Sequence, residues 1–229
     1  MKPTRITFLT LFPEVFPSFL NASLMKRAQK KELVDFQVVQ LRDFATDPHR
    51  SVDAPPFGGG AGMVLRADVL LRAWKALEGD QPQTRTLLMS PQGKVFDQQQ
   101  AKVWTSSDVK HWIFICGHYE GVDERFVELC VDQEVSVGDF ILTGGELPAL
   151  LVAETLVRLL PGLLGNPDSV AYETFENGTL KHPVYTRPQE LEGKRVPEVL
   201  LSGNHQAIRS WREQERLNRT LKKRPDLIS

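Results

Sequence analysis

The sequence predicts an α/β protein built on a mainly parallel β-sheet. Three short apolar segments each run directly into a loop that contains glycine. The pairs of strand and loop are 86–89 with 90–93, 111–116 with 117–121, and 134–137 with 138–145. Helical patterns at about 98–104 and 123–130 separate them. Strands that alternate with helices are typical of parallel sheets, whose ligands bind at loops beyond the carboxyl ends of the strands.

The first part of the chain fits the same architecture. Arg5–Thr10 and Val34–Leu41 are apolar and predict two further strands. Pro13 opens a helical pattern that runs to about Lys30. A long polar loop covers 43–62 and contains the glycine-rich run 57–62; loops of this length inside a compact domain are usually functional or disordered. A short helix at 68–77 and an exit turn follow.

The C-terminal part predicts a separate small helical domain. A long helix is expected from Glu146 to Leu160, followed by a polar stretch from Gly165 to Gly178 that has the composition of a linker. The last segment is rich in proline and ends in a basic helix from His205 to about Leu221. The predicted divisions are a domain at 1–164, a flexible linker at 165–180 and a helical domain at 181–229.

Composition places the chain among globular proteins of the cytoplasm. Its 229 residues are 41% hydrophobic and 25% charged, which is typical of soluble domains. The most apolar stretch, 147–164, is interrupted by Glu154, Arg158 and Pro161, so no membrane span is expected. The start lacks the apolar region of a signal peptide. Cys116 and Cys130 are expected to be buried thiols rather than a disulfide.

Charge is divided unevenly along the chain. The net charge is −1, but residues 178–229 hold 11 Lys and Arg against 6 Asp and Glu. The rest, 1–177, holds 17 against 23. An acidic body with a basic arm suggests binding to nucleic acid, although a merely solvated basic helix explains the charge equally well.

Several common sites are excluded by their missing motifs. The sequence has neither G-x-G-x-x-G after the first strand nor G-x-x-x-x-G-K-[ST], so the dinucleotide fingerprint and the P-loop are absent. No Cys/His spacing suits zinc, and no G-x-S-x-G provides the nucleophile of a hydrolase. The stretch 135–148, with turns at Gly138-Asp139 and Gly144-Gly145, is then either an ordinary strand-to-helix turn or one wall of a pocket. Two further glycine loops at strand ends favour the pocket.

Six motifs, in this order along the chain, give it a close resemblance to a known family. They are 57–63 (FGGGAGM), 90–93 (SPQG), 117–125 (GHYEGVDER), 136–148 (SVGDFILTGGELP), 158–162 (RLLPG) and 182–188 (HPVYTRP). Together they resemble the signatures of bacterial tRNA (guanine-N1-)-methyltransferase. The resemblance implies a trefoil-knotted α/β domain of the SPOUT class, an obligate homodimer with its active site between subunits, and S-adenosylmethionine as methyl donor. It also implies methylation of N1 of the guanine immediately 3′ of the tRNA anticodon (guanosine-37), which maintains the reading frame.

The resemblance also assigns roles to residues of this sequence. The cofactor pocket would be formed by Met89, Ser90, Pro91, Gln92, Gly117, Tyr119, Glu120, Gly121, Ser136, Val137, Gly138, Asp139, Phe140, Ile141, Leu142, Thr143, Gly144, Gly145 and Pro148. Backbone groups of 137–142 would hold the adenine edge, and Tyr119 would pack on the cofactor. The alternative for Tyr119 is a core aromatic residue with a satisfied hydroxyl group. Substrate contacts would come from Gly59, Arg187, Arg209, Arg212 and Lys222.

For the chemistry, N1 of guanine carries a proton that a carboxylate must remove, while a cation near O6 stabilises the developing negative charge. The family pattern gives the cation role to Arg158, whose alternative is a helical pair with Glu154. It gives the base role to Glu173. The motif here is Glu-Thr-Phe-x-x-Gly, where the family usually has Asp-Ser-Phe-x-x-Gly. Asp168 is an alternative base, but its spacing to Phe175 differs.

The sequence departs from the family pattern at two further positions. Lys181 and Val184 stand where relatives usually have an acidic residue and histidine, which leaves the tRNA contacts at these positions open. The linker is expected to become ordered when tRNA docks. Any Mg²⁺ would be shared with the substrate, because no dedicated set of metal ligands is evident. The competing functions are a SPOUT-type ribose 2′-O-methyltransferase and a non-catalytic RNA-binding protein.

Overall fold

A computed structural model describes residues 3–164, 173–175 and 178–228. The chain forms two compact units, Met1–Leu163 and Leu164–Ser229. Within the described residues, no helix is both long enough and apolar enough to cross a membrane.

A five-stranded parallel sheet forms the centre of the first unit. Its order is β2-β1-β6-β5-β7, and every pair of neighbours is parallel. The strands of this unit are β1 (Thr4–Thr10), β2 (Val34–Gln40), β3 (Asp53–Ala54), β4 (Val64–Leu65), β5 (Thr84–Val95), β6 (His111–Cys116) and β7 (Gln133–Ser136). The short strands β3 and β4 pair separately and antiparallel. The predicted α/β class with a central parallel sheet is confirmed.

Helices cover both faces of the sheet. They are α1 (Pro17–Leu20), α2 (Ser23–Lys30), α3 (Ala67–Ala76), α4 (Gln98–Thr105), α5 (Glu124–Cys130) and α6 (Glu146–Arg158). Side chains of β6 alternate between two apolar clusters, with Phe114 in the cluster that contains α2, α4 and α6 residues and Ile113 in the cluster that contains α3 and α5 residues. Strands buried on both faces read as continuous apolar runs. This is why β6 showed no polar alternation.

The segment 13–30 differs from its prediction as one helix. It contains a 3₁₀ turn at Pro13–Val15 and then α1 and α2 as separate helices. Ser23 has a φ of +41°, a left-handed conformation that interrupts the helical path. The apolar periodicity continued across this break, so the pattern alone did not reveal it.

Strand β5 is longer than predicted and contains an irregularity. Met89 and Lys94 both pair with Val135, so the residues between them bulge out of the ladder. A Cβ at Gly93 would lie 2.5 Å from the carbonyl oxygen of Glu134 on β7. The predicted turn at 90–93 is therefore a bulge, and glycine is required there by the neighbouring strand.

Within its described residues, the small second unit contains two α-helices, α7 (Glu198–Leu201) and α8 (His205–Lys223). An antiparallel hairpin of β8 (Glu190–Leu191) and β9 (Lys194–Arg195) precedes them. The Asn204 side chain caps α8 by accepting from the N–H of Ala207. The predicted helix from His205 ends two residues later than expected. Of the predicted linker, 165–172 and 176–177 lie outside the described residues.

Both cysteines are free and buried, as predicted. Cys116 ends strand β6, and Cys130 ends helix α5. Burial, and secondarily the Glu146 carboxylate, raises the pKa of the Cys116 thiol above its ordinary value. The thiol therefore stays protonated and acts as a small apolar side chain.

His111 predicts a pH dependence of stability. Its ring contacts the Thr7 hydroxyl group at 2.8 Å, and burial, followed by the charge of Arg5, lowers its pKa to about 4 from 6.5. The unfolded chain therefore binds a proton at a higher pH than the folded chain, so this contribution to stability is lost as pH falls from about 6.5 towards 4. Urea unfolding at pH 7 and pH 5 should show a smaller loss for His111→Gln than for wild type. His49→Gln, at an exposed position, is the control, and equal losses in all three proteins would contradict the assignment.

Candidate active site

A cavity of about 290 Å³ opens at the carboxyl ends of β6 and β7 and at the irregular stretch of β5 that follows Met89. That stretch, the loops after β6 and β7 and the first turn of α6 form its walls. This is the edge where parallel α/β sheets bind ligands, and the volume is close to the lower end of the range for small-molecule sites.

Nearly all of the predicted cofactor residues line this cavity. Those that do are Met89, Ser90, Pro91, Gln92, Gly117, Tyr119, Glu120, Gly121, Ser136, Val137, Gly138, Phe140, Ile141, Leu142, Thr143, Gly144, Gly145 and Pro148. Asp139 does not line it, although Gly138 and Phe140 on either side do. Tyr119 is half exposed and is no core residue.

Several lining residues were not predicted. They are Leu88, His118, Val122, Glu124, Val127, Glu134 and Val135. His118 lies inside the quoted 117–125 motif, so its position beside Gly117 was the signal that would have found it. Val122 and Glu124 lie inside the same motif, whereas the others come from β5, β7 and α5, and their placement required the packed structure.

The wall formed by 138–145 combines apolar side chains with main-chain donors. Ile141 is 82% exposed and Phe140 is 55% exposed, both towards a cavity that a ligand would cover. In the part of the chain that the structure describes, the N–H groups of Ile141 and Leu142 donate to no protein acceptor. Flat apolar surface next to free backbone donors suits a heteroaromatic ring with acceptor nitrogens.

Glycine is required at 144 and 145 because of close packing within the protein, since neither residue has a positive φ. Gly144 forms an antiparallel bridge with His118, and the N–H of Gly145 donates to the Gly117 carbonyl oxygen at 3.0 Å. A Cβ at Gly145 would lie 2.7 Å from the Cys116 Cα, and one at Gly144 would collide with the His118 ring. The loop after β7 therefore returns to the end of β6 at a distance that only glycine permits.

A buried carboxylate holds the same junction from behind. Glu146, in the first turn of α6, is 5% exposed and accepts a hydrogen bond from the Thr10 hydroxyl group at 2.6 Å. Its other contact is the His118 ring, whose Nε2 lies 2.8 and 2.9 Å from the two carboxylate oxygens. A carboxylate at a helix N-terminus is also favoured by the helix dipole. Glu146 thus ties strand β1, the 117–121 loop and helix α6 together.

The glycine-rich run 57–62 lies beside the cavity. The N–H of Glu120 donates to the Met63 carbonyl oxygen at 2.9 Å, and Gly62, with φ of +88°, leaves space for the Glu120 side chain. Gly59 also has a positive φ, and a Cβ there would meet no atom. Glycine at 59 is therefore needed for the backbone conformation, while glycine at 62 also makes room for Glu120.

Arg158 is not part of the cavity of its own chain. It is half-buried in the last turn of α6, whose first turn forms the cavity wall. Arg158 is the twelfth residue after Glu146, which corresponds to roughly 18 Å along a helix axis. One chain alone therefore does not bring the predicted cation to the predicted cofactor site.

Glu173 lies in the second unit, where it is half-buried and followed by Thr174 and Phe175. The alternative base, Asp168, falls outside the described residues. The positions named for substrate contact in this unit, Arg187, Arg209, Arg212 and Lys222, are all exposed. Arg187 and Arg212 also line a groove of about 490 Å³ that includes Tyr185.

No group of three or more His, Cys, Asp or Glu side chains could hold a metal ion within the described ranges 3–164, 173–175 and 178–228. Acidic side chains that are close to the cavity, such as Glu120 and Glu124, belong to its wall and form no such cluster.

Comparison with known proteins decides the family. A model of the family described as tRNA (Guanine-1)-methyltransferase TrmD matches residues 4–229. The chain belongs to this family. A curated tRNA (guanine-N(1)-)-methyltransferase of Staphylococcus carnosus is 51% identical over 98% of this chain and 91% of its own length. Those of Bacillus pumilus and Dictyoglomus turgidum are 49% and 46% identical over 98% of this chain, covering 91% and 89% of their own lengths.

Membership of the TrmD family confirms the resemblance drawn from the six motifs, and with it the class of enzyme, a tRNA methyltransferase. The matched range includes both compact units. Both the cavity and the C-terminal unit therefore lie within the part of the chain that matches the family.

The role of Gly145 predicts the effect of one added methyl group. Gly145→Ala forces a Cβ against the Cys116 and Gly117 backbone, so it should lower the free energy of unfolding by about 1–3 kcal/mol. Gly117→Ala is the matched control, because its Cβ would meet neighbours only at 3.8 Å or more. Thermal or urea unfolding measures both. Equal stability of the two variants would contradict the close approach.

Proposed function

We propose that the chain transfers the methyl group of S-adenosylmethionine to N1 of guanosine-37, the guanine immediately 3′ of the anticodon in tRNA. The observation that carries this proposal is the cavity at the ends of β6 and β7 and the irregular stretch of β5, in a chain that the TrmD family model matches from residue 4 to 229. The reaction would preserve the reading frame, and the proposed place of action is the cytoplasm, where tRNA is used.

The cavity fits S-adenosylmethionine in shape and in its polar groups. The free N–H groups of Ile141 and Leu142 suit acceptor nitrogens of adenine, and the apolar side chains of 140–142 suit its faces. Glu120 supplies a carboxylate on the cavity wall for the amino group or sulfonium of the ligand. The chemistry that the bound cofactor supplies is an electrophilic methyl group. Asp139 would not contact the cofactor directly and would contribute only through the turn that it forms between Gly138 and Phe140.

Glu173 is proposed as the base and Arg158 as the cation of the reaction. The Glu173 carboxylate would accept the N1 proton while N1 forms its bond to the methyl carbon and the bond from that carbon to sulfur breaks. Arg158 would stabilise negative charge on O6 of the guanine. The intrinsic pKa values of Glu and Asp are close, so replacement of the usual Asp by Glu changes reach more than basicity.

Two copies of the chain would form each active site. The position of Arg158, roughly 18 Å along α6 from the cavity end, supports a site shared between subunits. Helix α6 also exposes Leu147 and Leu151, at 62% and 49%, one turn apart. Exposed apolar side chains at this spacing favour a protein–protein contact. We propose a homodimer of SPOUT-type trefoil-knotted domains, in which the close passage of 144–145 past 116–118 is part of the knot.

Each of the three divisions of the chain that were predicted from the sequence has a proposed role. The domain at 1–164 would bind the cofactor, the linker at 165–180 would carry Glu173, and the helical domain at 181–229 would bind tRNA. Exposed Arg209, Arg212 and Lys222 on α8 suit phosphate contacts, which position the protein without reading sequence. Any Mg²⁺ would be shared with the substrate. Gly59, at the exposed glycine-rich run, is a proposed contact for the substrate from the first unit.

Product analysis tests the reaction. Methyl transfer from labelled S-adenosylmethionine to an unmodified tRNA transcript, followed by nucleoside analysis by mass, should give N1-methylguanosine at position 37. A 2′-O-methyl product would instead support the ribose methyltransferase. Cofactor binding without transfer would support the non-catalytic alternative, and either result would overturn the proposal.

The base role of Glu173 predicts a specific ranking of variants. Glu173→Gln keeps the size of the side chain but removes the base, so the rate of methyl transfer should fall by a factor of about 10²–10⁴. Glu173→Asp keeps a carboxylate and should retain far more activity, with a loss of no more than about 100-fold from displacement. Single-turnover rates measure both. A Gln variant as fast as the Asp variant would exclude Glu173 as the base.

A further inference from the structure

Helix α8 contains two buried polar side chains, although most of its other polar residues are exposed. Arg216 is 5% exposed and Thr220 is fully buried, one helical turn apart. Arginine is almost never fully buried unless it is paired. A helix whose only task was to contact phosphates would keep its arginine side chains exposed, as Arg209 and Arg212 are.

Both buried side chains bind the segment that follows Glu173. The Arg216 Nη2 donates to the Thr179 hydroxyl oxygen at 2.8 Å. The Thr220 hydroxyl group accepts from the N–H of Leu180 at 2.9 Å and donates to the Arg216 carbonyl oxygen at 2.7 Å. The Thr220 hydroxyl therefore uses its donor and its acceptor at once, and neither group is left unpaired in a buried position.

The segment itself is closed into a loop next to Glu173. The N–H of Lys181 donates to the Thr174 hydroxyl oxygen at 3.2 Å, and the N–H of Phe175 donates to the Thr179 carbonyl oxygen at 2.8 Å. Phe175 has a φ of +73°, and the Arg224 guanidinium lies 5.9 Å from its ring centroid. We call the described residues of this segment, 174–175 and 178–181, the anchored loop.

We propose that Arg216 and Thr220 are positioning residues that hold the anchored loop on α8 and thereby place the Glu173 carboxylate for catalysis. The inference rests on the proposed function, because it assigns a purpose to the position of Glu173. It means that the helix that binds tRNA phosphates also holds the loop next to the base. Docking of tRNA on α8 would then move the base together with the substrate.

The burial of the Arg216 side chain favours a positioning role over direct contact with tRNA. The Arg216 side chain is 6% exposed, so a phosphate cannot reach its guanidinium without displacing Thr179. Its other partner, Glu213, is 59% exposed and lies 3.8 Å away, which is a weak surface pair. The hydrogen bond to the anchored loop is therefore the principal contact that Arg216 makes.

Thr220→Val tests the proposal with little change of shape, because it removes the hydroxyl group and keeps the side-chain volume. At saturating tRNA, kcat should fall by about 10-fold to 100-fold, while KM for tRNA changes less than about twofold, since no phosphate contact is lost. Exchange of the Leu180 amide hydrogen should accelerate. Thr220→Ser keeps the hydroxyl group and should restore both kcat and protection. Arg216→Met should resemble Thr220→Val.

Two controls separate positioning from other effects. Arg212→Met removes an exposed charge from the same helix and should raise KM for tRNA with a smaller change in kcat. Thr155→Val removes the same type of bond, from a hydroxyl group to the carbonyl oxygen of Leu151 four residues earlier, on α6. It should leave kcat unchanged.

A double variant identifies Glu173 as the residue through which Thr220 acts. If it does so, Thr220→Val should cause no further loss of kcat in a Glu173→Gln background. Losses that multiply would overturn the proposal, and so would an unchanged kcat for Thr220→Val in an otherwise active enzyme. Absence of methyl transfer by wild type is a separate result, because it removes the proposed function itself.

Discussion

The close approach of Gly144 and Gly145 to the end of strand β6 holds the candidate site together. The Gly145 N–H donates to the Gly117 carbonyl oxygen, and Glu146 directly after it binds Thr10 and His118. These contacts connect the loops after β6 and β7 to strand β1. A side chain at either glycine would separate the loops, and the cavity walls that they form would no longer face each other. Close packing thus requires glycine at 144 and 145, and the same packing holds the walls of the candidate site together.

Much of this arrangement was predictable from sequence. The central parallel sheet and a pocket at its edge followed from apolar runs that end in glycine loops, because strand direction places such loops at one edge. The individual cofactor residues came from the resemblance to the family. The break at Ser23 was not predictable, since the apolar periodicity continues across it. The tight packing of Gly144 and Gly145 was not predictable either, because only the folded chain shows that a Cβ there would meet the backbone of 116–117 and the His118 ring. The burial of Arg216 was not predictable either, because nothing in the sequence distinguishes this residue from the other arginines of the basic helix.

The two ends of helix α6 lie far apart, which bears on how many copies of the chain form one active site. Its first turn forms the cavity, and Arg158 ends the helix roughly 18 Å away. Arg158 does not line the cavity of its own chain. The role proposed for Arg158 in the reaction therefore places it at the cavity of a second copy. The exposed leucines of α6 offer the surface on which that copy would pack.

Complementation between two inactive subunits tests this claim most directly. Gly117→Val would add side-chain volume at the cavity wall, Arg158→Ala would remove the cation, and each variant on its own is expected to be inactive. A heterodimer, isolated with two different affinity tags, would combine the intact cavity of one subunit with the intact Arg158 of the other. The account predicts that methyl transfer returns in the heterodimer, from one intact site. A heterodimer as inactive as both parents would show that Arg158 does not complete the partner's site and would contradict the account.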